Sequence, residues 1–303
     1  MTRLSKALTQ QTFTPENTRA VLATVCRDVG LDPGGAYLMR HQTAAVYCLR
    51  RHPIVVKIAR PETSLVEVER TLALTAWLAT TAIPSITTAD VPQPVTHAGC
   101  HTVFWRYLAQ PANRRITAAH LGALLRKLHQ TPEPPVVMPR LDAVAAIRRS
   151  LRSSRILSDT DRAFLTTYAE ALFERLPHLE CSLPSGLIHG DPQHRNALWD
   201  DQTPVLADWD SAAAGAREWD LITVEVHCRR FGYAETEYTA FADAYGYDVR
   251  DWDGYGLMRD VRELRMITTN ARKSPPGSPT AHEVHRRIQA LKNQKPDTTW
   301  SII

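Results

Sequence analysis

Hydrophobic residues recur at two spacings in the first third of the chain, and together they predict a small sheet flanked by helices. Val21, Leu22 and Val25 recur at helical spacing within Pro15–Val29, a predicted helix that Thr14 can cap. Runs rich in β-branched and aromatic residues predict strands, and a second helical stripe follows two of these runs. The predicted strands are Tyr37–Leu49, His52–Ala59, Pro94–Ala98 and Thr102–Leu108, and the second helix is Pro61–Ala79.

Helical patterns dominate after residue 115, where proline-rich turns separate amphipathic segments. Within residues 186–210 the pattern changes to short apolar strands, each running into a polar cluster. A hinge is expected at Gln110 and Pro111, which divides the chain into residues 1–108 and 109–303. The order of elements predicts an α+β fold, with a sheet-rich first part and a mainly helical second part. The predicted helices of the second part are Ala118–His129, Asp142–Arg155 and Asp159–Leu176.

The composition is typical of a soluble globular protein, since 44% of the 303 residues are apolar and 22% are charged. The net charge of +4 is spread along the chain without a basic stripe, so nucleic acid is not expected as a partner. Five widely spaced cysteines indicate reduced thiols, and neither a secretory signal nor a membrane-spanning apolar run is seen. A cytoplasmic protein without a membrane partner is therefore expected, with its oligomeric state open. The basic, proline-rich end beyond Lys273 is predicted to be partly flexible.

Carboxylate and amide side chains follow the two short strands within residues 186–210. Asp191 and Asn196 come after the first strand, and Asp208 comes at the end of the second. Phosphoryl transfer needs a carboxylate that accepts the proton of the acceptor hydroxyl, and oxygen ligands that hold Mg²⁺ on the nucleotide phosphates. The pattern therefore predicts Asp191 as the catalytic base, with Asn196 and Asp208 as metal ligands.

The order of these residues resembles the aminoglycoside phosphotransferase and choline kinase-like family, whose catalytic loop reads H-G-D, four residues, then N. His189, Gly190, Asp191 and Asn196 match that loop. In the family a metal-binding Asp and then a structural Asp follow this loop. Asp208 in Ala-Asp-Trp-Asp matches the metal-binding Asp, and Asp220 in Arg-Glu-Trp-Asp-Leu matches the structural one.

The resemblance implies a two-lobed protein-kinase-like fold, in which a small antiparallel-sheet lobe binds nucleotide and a larger helical lobe carries the catalytic loop. His189 and Asp220 are expected to support that loop rather than to transfer protons. The alternative is that His189, Asp191 and Asn196 only cap turns, but a turn does not require Asp208 at the end of a later strand.

The resemblance also assigns a nucleotide-binding role to Lys57, which lies on a predicted central strand and would contact the α- and β-phosphates of ATP, or GTP. The alternative is an edge-strand lysine that protects against aggregation. In the family this lysine pairs with a Glu on the following helix, and Thr71 occupies that position here. The two nearest carboxylates are Glu67 and Glu69, and Glu67 is the better placed substitute because it lies on the same helical face as Thr71. No G-x-G-x-x-G motif is present, so the Thr43 hydroxyl and neighbouring amides would cover the phosphates.

The resemblance further places the linker between the lobes at Trp105–Leu108, so that Arg106 and Leu108 would contact the adenine through their backbone. The alternative for this aromatic run is ordinary strand core.

The acceptor site is expected in the helical part after Asp208, where acidic residues outnumber arginines. Such an excess would attract a cationic acceptor, although a solvated surface with arginine pairs is the other interpretation. The leading hypothesis is an ATP-dependent kinase that phosphorylates a hydroxyl of an aminoglycoside or similar cationic antibiotic and confers resistance. A kinase of choline, homoserine, an aminosugar or a glycated amine is the second, and a nucleotide-binding pseudokinase the third. A protein kinase is not expected, because no activation segment follows Asp208.

Overall fold

The computed structural model describes residues 13–302, which fall into two compact units. Residues 1–12 lie outside this range. The expectation that no secretory signal is present is based partly on these residues. The units are discontinuous in sequence, and the division after residue 108 stays a prediction. The first unit contains the described residues up to Arg115 with residues 134–137 and 198–210, and the second contains residues 116–133, 138–197 and 211–302.

The first unit is built on a five-stranded antiparallel sheet with the strand order β1-β2-β3-β5-β4. Residues of β3 alternate between a buried face and a half-buried face, and the alternation places Lys57 on the half-buried face, level with Val46 and Val103. The strands are β1 (Tyr37–His41), β2 (Ala44–Cys48), β3 (Ile54–Ala59), β4 (Val95–His97) and β5 (Cys100–Arg106).

The core of the first unit lies between the sheet and helix α1 (Pro15–Asp28). Val25 and Cys26 of the helix pack with Val56 and Phe104 of the sheet, and all four are fully buried. Thr14 caps the helix by accepting a hydrogen bond from the Asn17 amide at 3.2 Å, as predicted. The helix therefore begins and ends close to its predicted bounds.

Two predicted elements of the first unit have different bounds in the structure. The predicted strand Tyr37–Leu49 is a hairpin, because the chain turns between β1 and β2 and Arg60 holds the turn through the carbonyl of Gln42 at 2.6 and 2.9 Å. Helix α2 (Leu65–Leu78) begins four residues later than predicted, because Ser64 forms a reciprocal capping box with a glutamate.

A second sheet of the first unit pairs β7 (Ala197–Asp200) with β8 (Thr203–Leu206). The end of β8 is fixed by Leu206, whose backbone bonds to Pro84 and Ile86 at 2.9 Å each. Asp208, the predicted metal ligand, follows two residues later. The strand end that carries it is therefore held by hydrogen bonds from both the amide and the carbonyl of Leu206.

The second unit is mainly helical and centres on α6, in which every residue except Arg229 is buried. A short antiparallel pair, β6 with β9, precedes this helix, and its register joins Leu187 to Ala214. The elements of the unit are α3 (Ala118–His129), α4 (Ala143–Ser153), α5 (Asp159–Arg175), β6 (Gly186–Ile188), β9 (Ala213–Gly215), α6 (Glu218–Arg230), α7 (Glu235–Tyr245), α8 (Tyr255–Lys273) and α9 (Pro279–Lys292).

The basic segment beyond Lys273, predicted to be partly flexible, instead contains helix α9. Ser278 caps the helix, and the buried Arg287 forms an ion pair with Glu283 at 2.8 Å. Glu283 also accepts a hydrogen bond from the amide of Ser301 at 2.9 Å. Arg287 is therefore part of the packing, which composition alone could not indicate.

The predicted α+β fold class is confirmed by the antiparallel sheet of the first unit and the helices of the second. Within residues 13–302, none of the helices combines the length and the apolar character that crossing a membrane requires.

Replacing Phe104 by Ala is expected to lower the free energy of unfolding by about 3–5 kcal/mol, because it leaves a cavity in the core of the first unit. Urea denaturation followed by tryptophan fluorescence measures the change. Val137→Ala is the control: its side chain is 91% exposed, and the expected change is within about 0.5 kcal/mol. Equal midpoints for the two variants would contradict the description of this core.

Candidate functional site

The residues predicted to act on nucleotide and acceptor are divided between the two units. The first unit carries Lys57, Asp208 and the remaining nucleotide-binding candidates, and the second carries the predicted catalytic loop after β6, with Asn196 and the residues predicted to support the loop. The loop contains His189, Gly190 and Asp191 and ends in a short 3₁₀ helix, His194–Asn196.

The catalytic loop is held by the first turn of helix α6. The buried carboxylate of Asp220 accepts hydrogen bonds from the backbone amides of His189 at 2.7 Å and Gly190 at 2.8 Å. It lies 3.1 Å from the Nε2 atom of His129, and the indole of Trp219 donates to the Gly190 carbonyl at 3.0 Å. The donors and the helix N-terminus offset the cost of burying this charge, and the loop backbone is fixed as a result.

Gly190 permits this arrangement because its backbone has a φ of +81°. A Cβ atom at this position would overlap the backbone carbonyl of Ser211. The loop therefore requires glycine here for two reasons, the left-handed conformation and the close approach of a second backbone segment.

Asp191, the predicted base, has contacts on both carboxylate oxygens. Arg262 of α8 donates to Oδ1 at 2.7 Å, and Gln193 of the same loop donates to Oδ2 at 2.8 Å. The Asn196 side chain donates to the backbone carbonyl of Asp191 at 2.9 Å, which ties the two ends of the loop together. Asn196 also donates to Oδ2, at 3.4 Å, whereas Oδ1 has a second lone pair; the carboxylate remains 32% exposed, so a hydroxyl can still approach it.

Burial by itself would raise the pKa of Asp191, but Arg262 and then His227 and His189 outweigh it and hold the pKa at about 2. The carboxylate is therefore ionised throughout the neutral range. The pKa of the neighbouring His227 is lowered to about 3, mainly because burial disfavours the charged imidazole. His227 is therefore neutral beside an ionised Asp191.

Lys57 is paired with two carboxylates that follow β8. Its Nζ atom lies 2.9 Å from Oδ1 of Asp208 and 2.6 Å from Oδ2 of Asp210, and its side chain is 16% exposed. Burial would lower the pKa of Lys57, but Asp210 and Asp208 together raise it above its usual value. Asp208 itself has a φ of +63°, an uncommon conformation for a residue with a side chain.

The side chain at each of the two predicted metal positions is of a type that suits a hard divalent cation. Asp208 supplies a carboxylate, and the amide nitrogen of Asn196 faces the Asp191 carbonyl, so the amide oxygen of Asn196 points elsewhere. Carboxylate and amide oxygens are the ligands that Mg²⁺ and Ca²⁺ prefer. The residue types at both predicted metal positions therefore fit such a cation.

The predicted pair of Lys57 with Glu67 does not form in this structure. Glu67 instead caps its own helix, where its carboxylate accepts from the amide and hydroxyl of Ser64 at 2.8 Å each. The physical reason is local: a glutamate at the third position of a helix bonds to its own N-cap more readily than it pairs with a distant lysine.

Thr43 lies exposed at the turn between β1 and β2, as its predicted phosphate-covering role would require.

Arg106 and Leu108, predicted to contact the adenine, are engaged within the first unit. The Arg106 side chain pairs with Asp200 and donates to Thr87 at 3.3 Å. The Leu108 carbonyl accepts from the Gln110 side chain at 3.0 Å, whereas no residue within 13–302 accepts from the Leu108 amide. The Leu108 amide is thus the group of this pair that could donate to a nucleobase.

Most acidic residues of the predicted acceptor region have cationic or amide partners. Glu225 pairs with Arg229 at 3.2 Å and Arg250 at 3.4 Å, and Glu263 pairs with Arg230 at 2.6 Å. The others with partners are Glu235, paired with Arg250, Asp260, paired with Arg259, Glu237, which accepts from the Ala118 amide, and Asp248, which accepts from the Arg250 amide. Four of these carboxylates, those of Glu225, Glu235, Asp260 and Glu263, are therefore neutralised by arginines within this unit.

Sequence reasoning did not identify Asp210, Gln193 or Arg262 as site residues. Asp210 is the second acid of Ala-Asp-Trp-Asp, and its position two residues after Asp208 could have identified it as a candidate site residue. Gln193 stands two residues after Asp191 in the same loop and could also have been found. Arg262 lies 71 residues after Asp191, and no local pattern connects the two.

Replacing Gly190 by Ala is expected to cost at least about 2 kcal/mol more stability than the same change at Gly232. Gly232 has a φ of +72° with nothing within 4 Å of the added Cβ, so only the backbone strain of about 1 kcal/mol applies there. Gly190→Ala adds the overlap with Ser211. Urea denaturation of both variants gives the difference, and equal losses would contradict the close backbone approach.

Stability is expected to fall as the pH drops below the ordinary His pKa of 6.5, because His227 stays neutral in the folded protein down to about pH 3. The unfolded chain takes up the proton first, so the contribution is complete above pH 6.5 and is lost towards pH 3. At pH 5 the loss is about 2 kcal/mol. Denaturation of His227→Gln at pH 7 and pH 5 tests this, since that variant lacks this part of the slope.

The control for this pH dependence is His178→Gln, because His178 lies exposed after α5 and outside the site. It should retain the full loss of stability between pH 7 and pH 5. A slope that is the same in both variants would show that burial of His227 is not its source.

Solved structures similar to the chain include three small-molecule kinases. An amicoumacin kinase in complex with AMP-PNP and Ca²⁺ has a TM-score of 0.72 at 13% identity, covering 99% of this chain and 98% of that one. A microcompartment-associated aminopropanol kinase has a TM-score of 0.69 at 17% identity, covering 91% and 98%. A choline kinase from Streptococcus pneumoniae has a TM-score of 0.66 at 12% identity, covering 91% and 99%. These likenesses confirm the predicted protein-kinase-like fold.

No curated protein matches the chain in sequence. The sequence profile of the phosphotransferase enzyme family, however, matches residues 42–258, which is well over half of the chain. The match runs from the β1–β2 turn into α8 and includes the predicted catalytic loop, and it confirms the prediction that the chain is a phosphotransferase. The chain belongs to the phosphotransferase enzyme family.

Proposed function

We propose that the protein is an ATP- and Mg²⁺-dependent kinase that transfers the γ-phosphoryl group to a hydroxyl of a small molecule, with Asp191 as the catalytic base. The observation that carries the proposal is the geometry of Asp191: an ionised, partly exposed carboxylate whose oxygens are oriented by Arg262 and Gln193. A carboxylate held in this way can accept a hydrogen bond from an incoming hydroxyl without reorganising.

The low pKa of Asp191 fits this reaction. A group with a pKa of about 2 is a weak base and does not remove the hydroxyl proton early. Phosphoryl transfer passes through a loose transition state, in which the hydroxyl becomes acidic only as the new bond forms. Asp191 would therefore orient the hydroxyl first and take its proton late.

Lys57, Asp208 and Asn196 are proposed to hold the nucleotide. The Lys57 ammonium would contact the α- and β-phosphates, and its pairing with Asp208 and Asp210 keeps it charged and oriented. Asp208 and Asn196 would hold Mg²⁺, which when bound neutralises charge on the β- and γ-phosphates. The AMP-PNP and Ca²⁺ of the amicoumacin kinase complex support a nucleotide with a divalent cation.

The acceptor proposed from the sequence, an aminoglycoside or similar cationic antibiotic, depended on free acidic residues. Pairing of Glu225, Glu235 and Glu263 with arginines weakens that argument. Likeness to an amicoumacin kinase supports an antibiotic acceptor and a role in resistance, whereas likeness to aminopropanol and choline kinases supports an amino-alcohol metabolite. We therefore define the acceptor by its hydroxyl and extend the proposal to small metabolites.

Asp191→Asn is expected to lower the turnover number by roughly 10²–10⁴-fold, because the amide keeps the shape of the side chain but cannot accept the proton. Release of ADP with ATP and Mg²⁺, measured across a panel of antibiotics and amino alcohols, gives the rate. Nucleotide affinity should stay within about threefold of that of the unchanged protein, since Asp191 is not a proposed phosphate or metal ligand.

Gln202→Glu is a suitable control, because Gln202 lies in the β7–β8 turn of the first unit and no catalytic role is proposed for it. It should retain full turnover. Tight nucleotide binding by the unchanged protein without ADP release for any compound would contradict the kinase proposal and favour a nucleotide-binding pseudokinase.

A further inference from the structure

A second arginine, Arg265, follows Arg262 by almost one turn of helix α8 near the proposed base. Arg262 is paired with Asp191 at 2.7 Å, whereas the side chain of Arg265 forms no hydrogen bond or ion pair within residues 13–302. Its Nη1 atom is nevertheless buried. The guanidinium groups of Arg262 and Arg265 lie 5.3 and 5.2 Å from the centre of the Trp219 ring, so both are held in place by the same indole.

A buried guanidinium nitrogen without an acceptor is costly, because the hydrogen bonds it makes to water are not replaced. Other deeply placed arginines of the second unit have at least one carboxylate partner, whereas the Arg265 side chain has none among residues 13–302. Arg230 bonds to both carboxylate oxygens of Glu263 at 2.7 and 2.6 Å, and Arg287 bonds to Glu283 at 2.8 Å. The contrast indicates that Arg265 receives its acceptor from outside the chain.

The charges around Arg265 favour an anion. The charged groups that act on it, strongest first, are Arg262, Asp191, Arg149 and Asp142, and Asp191 is already bonded to Arg262. Burial and the neighbouring Arg262 lower the pKa of Arg265 to about 10, so the side chain stays protonated at neutral pH. An oxyanion here would satisfy the buried nitrogen and relieve the repulsion between the arginines.

We propose that Arg265 binds an anionic group, a carboxylate or a phosphate, on the same acceptor whose hydroxyl Asp191 orients. This inference rests on the proposed kinase function and names its substrate class: a small hydroxyl compound that is anionic or zwitterionic. Residues three apart on a helix have Cβ atoms roughly 5–6 Å apart, so the anion and the hydroxyl would be separated by only a few bonds. A polycationic acceptor would instead face two arginines and be repelled.

Pairs of alcohols that differ only in a carboxylate test the inference. L-Homoserine and 3-aminopropan-1-ol form one pair, and L-serine and ethanolamine form another. The unchanged protein is expected to favour the carboxylate member in kcat/KM by roughly tenfold to hundredfold, and Arg265→Gln to lose that preference through a higher KM for the carboxylate member. Arg265→Lys should restore part of it. A preference for the decarboxylated member in the unchanged protein would overturn the proposal.

Arg259→Gln is the matched control. Arg259 lies on the same helix and pairs with its neighbour Asp260 at 2.8 Å, and it should keep the wild-type preference. The same assays separate the acceptor's anion from the phosphoryl group in transfer. If Arg265 acted on the phosphoryl group, Arg265→Gln would lower kcat equally for both members of a pair, and that result would overturn the proposal.

A binding measurement separates failure of this inference from failure of the kinase proposal, because it needs no turnover. Inorganic phosphate is titrated by calorimetry into the unchanged protein, Arg265→Gln, Arg259→Gln and Lys57→Met. Phosphate binding that is lost in Arg265→Gln and kept in the other two variants supports the anion site even if no tested alcohol is phosphorylated. Equal binding by Arg265→Gln and the unchanged protein, or no binding by either, overturns it.

Discussion

One buried carboxylate, that of Asp220, holds the backbone of the loop that carries Asp191, the proposed base. An ionised group in a protein interior is stable only when donors surround it, and here two consecutive backbone amides and a helix N-terminus fulfil that requirement. The same hydrogen bonds determine where the loop runs, and they bring Gly190 against Ser211 in a conformation that only glycine adopts easily. The position of Asp191 follows from that path.

The two units stabilise their charged site residues with partners of opposite sign. In the second unit an arginine stabilises an anionic side chain, since Arg262 holds Asp191 ionised. In the first unit two carboxylates stabilise a cation, since Asp208 and Asp210 surround Lys57. Each functional group is therefore oriented by a partner of opposite sign before any ligand arrives, which reduces the reorganisation that binding and reaction require.

Local pattern was sufficient for the elements and for the catalytic loop. The run of β-branched residues predicted that Lys57 lies on a central strand, and the spacing from His189 to Asn196 predicted the loop, because these features are encoded within a few consecutive residues. Glu67 shows the limit of such reasoning: helical geometry made it the nearest substitute for the missing partner, but the N-cap of its own helix engages it. The contact of Arg262 with Asp191 arises only when α8 packs in the second unit, and no spacing along the chain encodes it.

The placement of both lysine partners in one short segment has a consequence for control of the enzyme. In protein kinases the corresponding lysine pairs with a glutamate on a mobile helix, and moving that helix switches the enzyme off. Here Asp208 and Asp210 follow β8, whose end is bonded to Pro84 and Ile86, while Glu67 on α2 is occupied by Ser64. Within residues 13–302, a displacement of α2 would therefore break no ion pair of Lys57, and the charge and orientation of this lysine do not depend on the position of that helix.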